Sequence, residues 1–269
     1  FETVKNAALI HKQGGGTGYN FSWLRPRGSY VKKSQGIASG PLSFMEQFNT
    51  QTEIINQGNR RGANMGILNV DHPDILDFIY SKTLEKKLEN FNISVGITDE
   101  FMNKVKENGF YPLKIGKKDY SKEVLTKRKL EIFIENIEKS KAEAEVGKKA
   151  VPHSLFIKEN KVYDRRTNNE IGRVNKGIVE LNASKIFDLI ANSAWKSGDP
   201  GLIFLDKIAK NNPIPFERLE ATNPCGEQPL HPYDACNLGS INLEKFVKDK
   251  KVNYENLEEN IKYIVRFLD

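Results

Sequence analysis

Thiols are scarce in this chain. Its 269 residues contain two cysteines, Cys225 and Cys236, both inside one short stretch. That scarcity argues against a secreted disulfide scaffold and fits a reducing compartment, the cytoplasm. No CxxC or HxxxH spacing occurs, and the four histidines (His11, His72, His153, His231) are scattered, so no metal site is expected. No apolar run is long enough to span a membrane, and the start lacks a signal-peptide pattern. The Gly14-Gly15-Gly16 cluster is not followed by Gly-Lys-Ser/Thr, so it is not a Walker loop. Phe1 is not an initiator, and Asp269 falls inside the amphipathic run NLEENIKYIVRFLD; a fragment of a longer protein is expected.

The formal net charge is +6, which raises the question of nucleic acid. Between Lys114 and Lys149, however, eleven Lys/Arg face seven Asp/Glu, a net of +4, so most of the excess sits in one segment. A localised charged helix reads as a solvated face, and DNA binding is not expected.

Helical and extended patterns alternate along the chain. ETVKNAALIHK has helical spacing and stops at the glycine cluster. PLSFMEQFNTQTEIINQ predicts a helix with Phe44, Phe48 and Ile55 on its apolar side. In ENFNISVGITDEFMNKV, Asn92, Ser94 and Gly96 alternate with Ile93, Val95 and Ile97, which predicts a strand running into a helix. SKIFDLIANSAWKSGDPGLIFLDKIAK predicts helix, turn and buried strand. This order argues for an α/β fold with largely parallel strands. Residues 114–160 stand apart as a charged helical insertion, with Leu130, Phe133, Ile134 and Ile137 at helical spacing; it reads as an added surface helix pair, with a docking or lid element as the alternative.

The chemistry is concentrated in NPCGEQPLHPYDACNLGSINL, residues 223–243. Pro224, Pro229 and Pro232 remove backbone donors, so Asn223–Asp234 is expected to be extended or looped. If extended, Asn223, Cys225 and Glu227 share one face: an amide anchor, a reactive sulfur and a base. ACNLGSINL reads as a short buried strand, and a fold-back after Pro232 would return Cys236 towards Cys225. A cysteine is most often a small buried hydrophobe, and a papain-like Cys/His hydrolase is the enzymatic rival, although its thiol normally opens a helix.

The stretch NPCGEQPL…ACNLGSINL resembles the active-site finger loop of the ribonucleotide reductase large chain, most like the adenosylcobalamin-dependent, class II branch. That resemblance implies part of a ten-stranded α/β barrel with a central finger loop. It implies a thiyl radical on Cys225 that takes the 3′-hydrogen of a ribonucleotide, with Glu227 as base and Asn223 on the sugar hydroxyls. Cys236 would be half of the reducing dithiol, and the backbone of Gly16 would lie against the substrate. Gln57, Arg60 and Arg61 match a loop that reads a dNTP or ATP effector, and Arg25 with Lys32 matches the neighbouring effector-phosphate loop. Adenosylcobalamin is the implied radical source, its site outside these residues, with a di-metal partner subunit as the runner-up. A thioredoxin-type reductant is implied, and a homodimer is compatible. The other redox cysteine is expected upstream of Phe1 and a phosphate loop downstream of Asp269. Rival classes are a glycyl-radical enzyme, a cysteine hydrolase and a nucleotide-binding regulatory module without chemistry.

Overall fold

The computed structural model describes residues 1–57, 60–83, 88–117, 121–143 and 153–269. They fall into two compact units, Phe1–Pro232 and Tyr233–Asp269, each taken by itself. The first unit begins with helix α1 (Glu2–Lys12), strand β1 (Thr17–Asn20), the short pair β2 (Tyr30–Val31) and β3 (Gly36–Ile37), and helix α2 (Pro41–Ile54). Next come β4 (Asn56–Gln57), β5 (Arg60–Arg61), β6 (Asn64–Asn69), α3 (Ile75–Tyr80), β7 (Phe91–Ile97) and α4 (Asp99–Lys106). Then follow β8 (Phe110–Pro112), β9 (Lys114–Gly116), β10 (Lys122–Val124), α5 (Lys127–Glu143), β11 (Leu155–Lys158), β12 (Lys161–Asp164), β13 (Glu170–Asn175) and β14 (Ile178–Asn182). The unit closes with α6 (Ala183–Ser197), β15 (Gly201–Phe204), α7 (Leu205–Lys210), β16 (Ala221–Thr222) and β17 (Pro229–Leu230).

Strands β1, β6, β7 and β15 form a parallel sheet in that order, the arrangement that alternating strand and helix implies. Strand β6 is buried along its whole length, as a parallel strand covered on both faces must be. Its side chains alternate: Leu68 joins the main core with Ile75, Phe78, Phe91 and Ile93, while Met65 and Ile67 pack with Ile203, Leu205 and Ala221 on the other face. Helix ends follow capping rules. Thr98 Oγ1 accepts the Phe101 N–H ahead of α4, Asn182 Oδ1 accepts the Lys185 N–H ahead of α6, and Gly198 ends α6 in the left-handed region.

Three local expectations need correction. Helix α2 buries Met45, Phe48 and Thr52, whereas Phe44 is exposed; the face is rotated because Met45 fills the space above Gly66. Strand β15 is an edge strand on which only Ile203 is buried. Among the described residues of 114–160 there is one helix, α5, preceded by the β9–β10 hairpin; residues 144–152, where a second helix of the expected pair would fall, lie outside the described residues. That helix is not merely a surface element, since Leu130, Phe133 and Ile137 are buried.

A five-stranded antiparallel sheet, order β11-β12-β13-β14-β8, was not expected. Its two tight connections are Glu159-Asn160 and Lys176-Gly177, all four residues at positive φ, the backbone that matches strand twist in two-residue hairpins.

The second unit holds a short 3₁₀ turn (Leu243–Phe246), the pair β18 (Val247–Lys248) and β19 (Lys251–Val252), and helix α8 (Tyr254–Leu268). ACNLGSINL forms no strand here: Leu238 is 85% exposed and the segment is tied to α8 by the Asn237 amide donating to the Leu268 carbonyl at 2.9 Å. Apolar residues at alternate positions bury themselves only where a neighbouring strand supplies partners, and this unit supplies none. Among the described residues no helix is long and apolar enough to cross a membrane.

Candidate active site

Cys225 sits on a hairpin loop. Strands β16 and β17 pair through Ala221 with Leu230 and Thr222 with Pro229, and residues 223–228 turn between them. Asn223 organises the turn. Its carbonyl accepts the Gly226 N–H at 3.0 Å and its Oδ1 accepts the Gln228 N–H at 3.1 Å, while the Thr222 hydroxyl donates to the same carbonyl. Gly226 takes φ +85°. The extended alternation that would place Asn223, Cys225 and Glu227 on one face therefore gives way to a looped form, because an asparagine, a proline and a glycine at these positions close a turn. Cys225 and Glu227 are exposed, and Asn223 is half-buried. Among the described residues the Asn223 Nδ2 donates to no protein acceptor.

Main chain holds this loop in place. A Cβ at Gly18 would lie 1.7 Å from the Thr222 carbonyl oxygen, so β1 and β16 meet backbone to backbone where only glycine fits. A Cβ at Gly16 would lie 2.3 Å from Pro224 Cγ. Asn92 donates from Nδ2 to the Pro224 carbonyl at 2.7 Å, and at the other end of the hairpin Asn20 donates to the Glu220 carbonyl at 3.0 Å. The tip thus lies at the N-terminal ends of β1 and β7. Next to Gly16 in the chain, the half-buried Thr17 hydroxyl donates to Asn64 Oδ1 at 2.8 Å and accepts from Tyr19 at 2.8 Å. With that proton committed, His11 must donate to Thr17 through Nε2, at 3.0 Å; burial lowers the pKa of His11 and keeps it neutral.

Of the residues expected at the site, the structure brings together Gly16, Asn223, Cys225 and Glu227. Cys236 belongs to the second unit, and both cysteines are free. Arg25 is exposed just ahead of the β2–β3 hairpin, and Lys32 is exposed at that hairpin's turn. The backbones of Gln57 and Arg60 pair in the β4–β5 hairpin with Asn56 and Arg61 beside them, while the side chains of Gln57, Arg60 and Arg61 lie outside the described residues. Sequence reasoning missed Gly18, Asn20 and Asn92 as supports. The polar alternation of β7 did mark Asn92 as facing away from the core.

A cavity of about 440 Å³ lies at the opposite, C-terminal ends of the strands, lined by Asn20, Asn69, Thr98, Asp206, Phe216 and Arg218 among others. Neither Cys225 nor Glu227 lines it, so this cavity is not where the reactive groups sit. Among the described residues no cluster of His, Cys, Asp or Glu could hold a metal ion.

The family model described as "Ribonucleotide reductase, barrel domain" matches residues 1–269. The chain belongs to the ribonucleotide reductase barrel-domain family. It is 44% identical over 273 residues to the vitamin B12-dependent ribonucleoside-diphosphate reductase of Thermoplasma acidophilum, covering 100% of this chain and 28% of that protein. It is 38% identical over 272 residues to the protein of the same name from Mycobacterium tuberculosis, 31% of whose length is covered. The ribonucleoside-diphosphate reductase large chain of Schizosaccharomyces pombe is 25% identical over 283 residues, and this chain covers 30% of it. The chain therefore spans about 28–31% of the length of these relatives. As a reductase barrel segment, it carries a four-stranded parallel sheet, open at β1 and β15 among the described residues, and the β16–β17 hairpin.

Proposed function

We propose that this chain is the part of a ribonucleotide reductase that carries its radical thiol, in a protein that reduces ribonucleotides to deoxyribonucleotides. The observation that carries the reading is an exposed sulfur on a loop whose main chain is pinned to the parallel sheet, with an amide and a carboxylate two residues to either side. Ribose carbon–hydrogen bonds are not acidic, so the reaction needs a hydrogen-atom acceptor, and a cysteine thiyl serves. Cys225 as thiyl takes the hydrogen atom from C3′: an S–H bond forms and the C3′–H bond breaks. Glu227 takes the 3′-hydroxyl proton while Asn223 holds the sugar hydroxyls. The 2′-hydroxyl leaves as water with a proton from the dithiol formed by Cys236 and a second thiol outside these residues. That dithiol closes to a disulfide and supplies the two electrons. Return of the hydrogen atom from Cys225 to C3′ regenerates the thiyl.

Both of the most similar relatives named above are called vitamin B12-dependent, and we assign the same dependence to this protein. Adenosylcobalamin, when bound, supplies the initiating radical by homolysis of its cobalt–carbon bond. The exposed sulfur of Cys225 is accessible to a source held by other parts of the protein. The effector reading of the loops carrying Arg25, Lys32, Gln57, Arg60 and Arg61, disulfide exchange with a thioredoxin-type reductant, and a cytoplasmic homodimer complete the proposal.

The test is Cys225→Ser in the full-length protein. A serine O–H bond is too strong for the same radical to open, so deoxynucleotide formation drops below detection while ribonucleotide binding stays within about threefold. Substantial deoxynucleotide from this variant would overturn the radical assignment.

A further inference from the structure

We propose that helix α5, in the charged segment 114–160, is a clamp that positions the loop bearing Arg25 and Lys32 for the phosphates of a nucleotide effector; the inference rests on the effector role proposed above for that loop. The β2–β3 hairpin has a narrow neck, where Gly28 N–H donates to the Ala38 carbonyl at 2.9 Å and Ala38 N–H to the Ser29 carbonyl at 2.8 Å. Two pairs of residues beyond it, Tyr30 with Ile37 and Val31 with Gly36, complete the ribbon. So short a two-stranded ribbon is marginal on its own and takes its position from whatever it rests on.

It rests on α5. Gly28 has φ +87°, and a Cβ there would lie 2.4 Å from the Phe133 carbonyl oxygen, so the helix backbone meets the loop backbone directly. Asn136 Nδ2 donates to the Gly28 carbonyl at 2.8 Å. On the same leg, Asp74 Oδ2 accepts the Arg27 N–H at 2.9 Å, and the second oxygen of Asp74 faces Nε2 of His153, also in the charged segment 114–160, at 3.6 Å. Buried Leu130, Phe133 and Ile137 seat the helix, while on its outer face Arg128 pairs with Glu131 at 3.9 Å and Glu135 at 3.5 Å. These three outward charges pair with one another, and the contacts to the hairpin point inward. They fix main chain at Arg27 and Gly28 and leave the Arg25 and Lys32 side chains exposed, the disposition a phosphate site needs.

The experiment titrates the full-length protein with dTTP, dGTP and dATP, and with inorganic tripolyphosphate, and measures turnover with and without them. Asn136→Ala is expected to weaken deoxynucleotide binding about tenfold, with effector-free turnover and substrate KM unchanged, and Asn136→Gln to restore part of the loss. Backbone amides of residues 28–38 should exchange faster in Asn136→Ala while those of β6 and β7 do not, which separates loop release from general loosening. Lys32→Ala tests the underlying assignment. If Lys32→Ala weakens binding and Asn136→Ala stays within twofold of the parent, the clamp is wrong and the effector loop stands. If Lys32→Ala also leaves binding unchanged, the effector assignment fails and the clamp falls with it.

Discussion

Around Cys225, position is set by main chain: Gly18 against Thr222, Gly16 against Pro224, and asparagine side chains on the Pro224 and Glu220 carbonyls. Around the antiparallel sheet, position is set by buried side chains. Asp164 is fully buried and accepts from the Tyr80 hydroxyl at 2.9 Å, the Thr167 hydroxyl at 3.0 Å and the Arg166 N–H at 2.9 Å. Arg166 in turn donates to Asp77 at 2.5 Å, and Ser154 donates to the other oxygen of Asp77 at 3.2 Å. The two solutions suit different tasks. A loop that does chemistry must keep its reactive side chains free, so its backbone takes the restraints. A supporting sheet has no such need and can commit its charged groups to one another.

The contrast is sharpest if the same insertion is made in both regions. Gly18→Ala forces the Thr222 carbonyl away and shifts the Cys225 hairpin, so turnover of the full-length protein should fall at least about a hundredfold, the scale of an ångström-sized misplacement. Gly172→Ala in β13 meets the Glu180 carbonyl oxygen at 2.2 Å, an equally crowded spot. It should cost roughly 1–3 kcal/mol of stability in urea titrations and leave turnover per folded molecule unchanged. Equal effects of the two substitutions on turnover would erase the distinction.

Acid should find the side-chain network, where the titrating groups are buried. Burial lowers His72 to about 4 and raises Asp74 to about 6, and lowers His153 as well. A histidine depressed in the fold contributes stability above its ordinary value of 6.5, lost as pH falls through about 4. Asp74, raised in the fold, acts in the opposite sense: its contribution is full below its ordinary 3.8 and is lost as pH rises through about 6. The His72 and Asp74 shifts each correspond to something on the order of 3 kcal/mol. With two histidines against one aspartate, the urea midpoint should decline from pH 6.5 to 4, and Asp74→Asn, which removes the opposing contribution, should steepen that decline. A midpoint flat across this window in both proteins would mean that the network is more open to water than its burial indicates.

The same contrast explains what was legible in the sequence. The parallel sheet follows from alternation: the strand at Phe91–Ile97 and the helix after it appear as read, because period and caps are local signals. Cys225, Asn223 and Glu227 stood out because reactive side chains cluster in a proline-broken stretch. Gly18 did not, since its role depends on Thr222, 204 positions later in the chain. The antiparallel sheet was obscured by charge, although Glu159-Asn160 and Lys176-Gly177 are turn dipeptides between alternating runs and could have revealed it. The strand expected at ACNLGSINL failed for a different reason, since its apolar residues find no pairing partner within residues 233–269.

The central claim, that Cys225 opens the reaction and Cys236 serves only its reduction, is tested most directly by single-turnover reactions of the full-length protein with 3′-labelled ribonucleotide. Cys236→Ser should still exchange label from C3′ but release base and degraded sugar instead of deoxynucleotide, because one thiol cannot close a disulfide. Cys225→Ser should do neither. Label exchange in Cys225→Ser, or a normal deoxynucleotide yield from Cys236→Ser without external dithiol, would contradict the account.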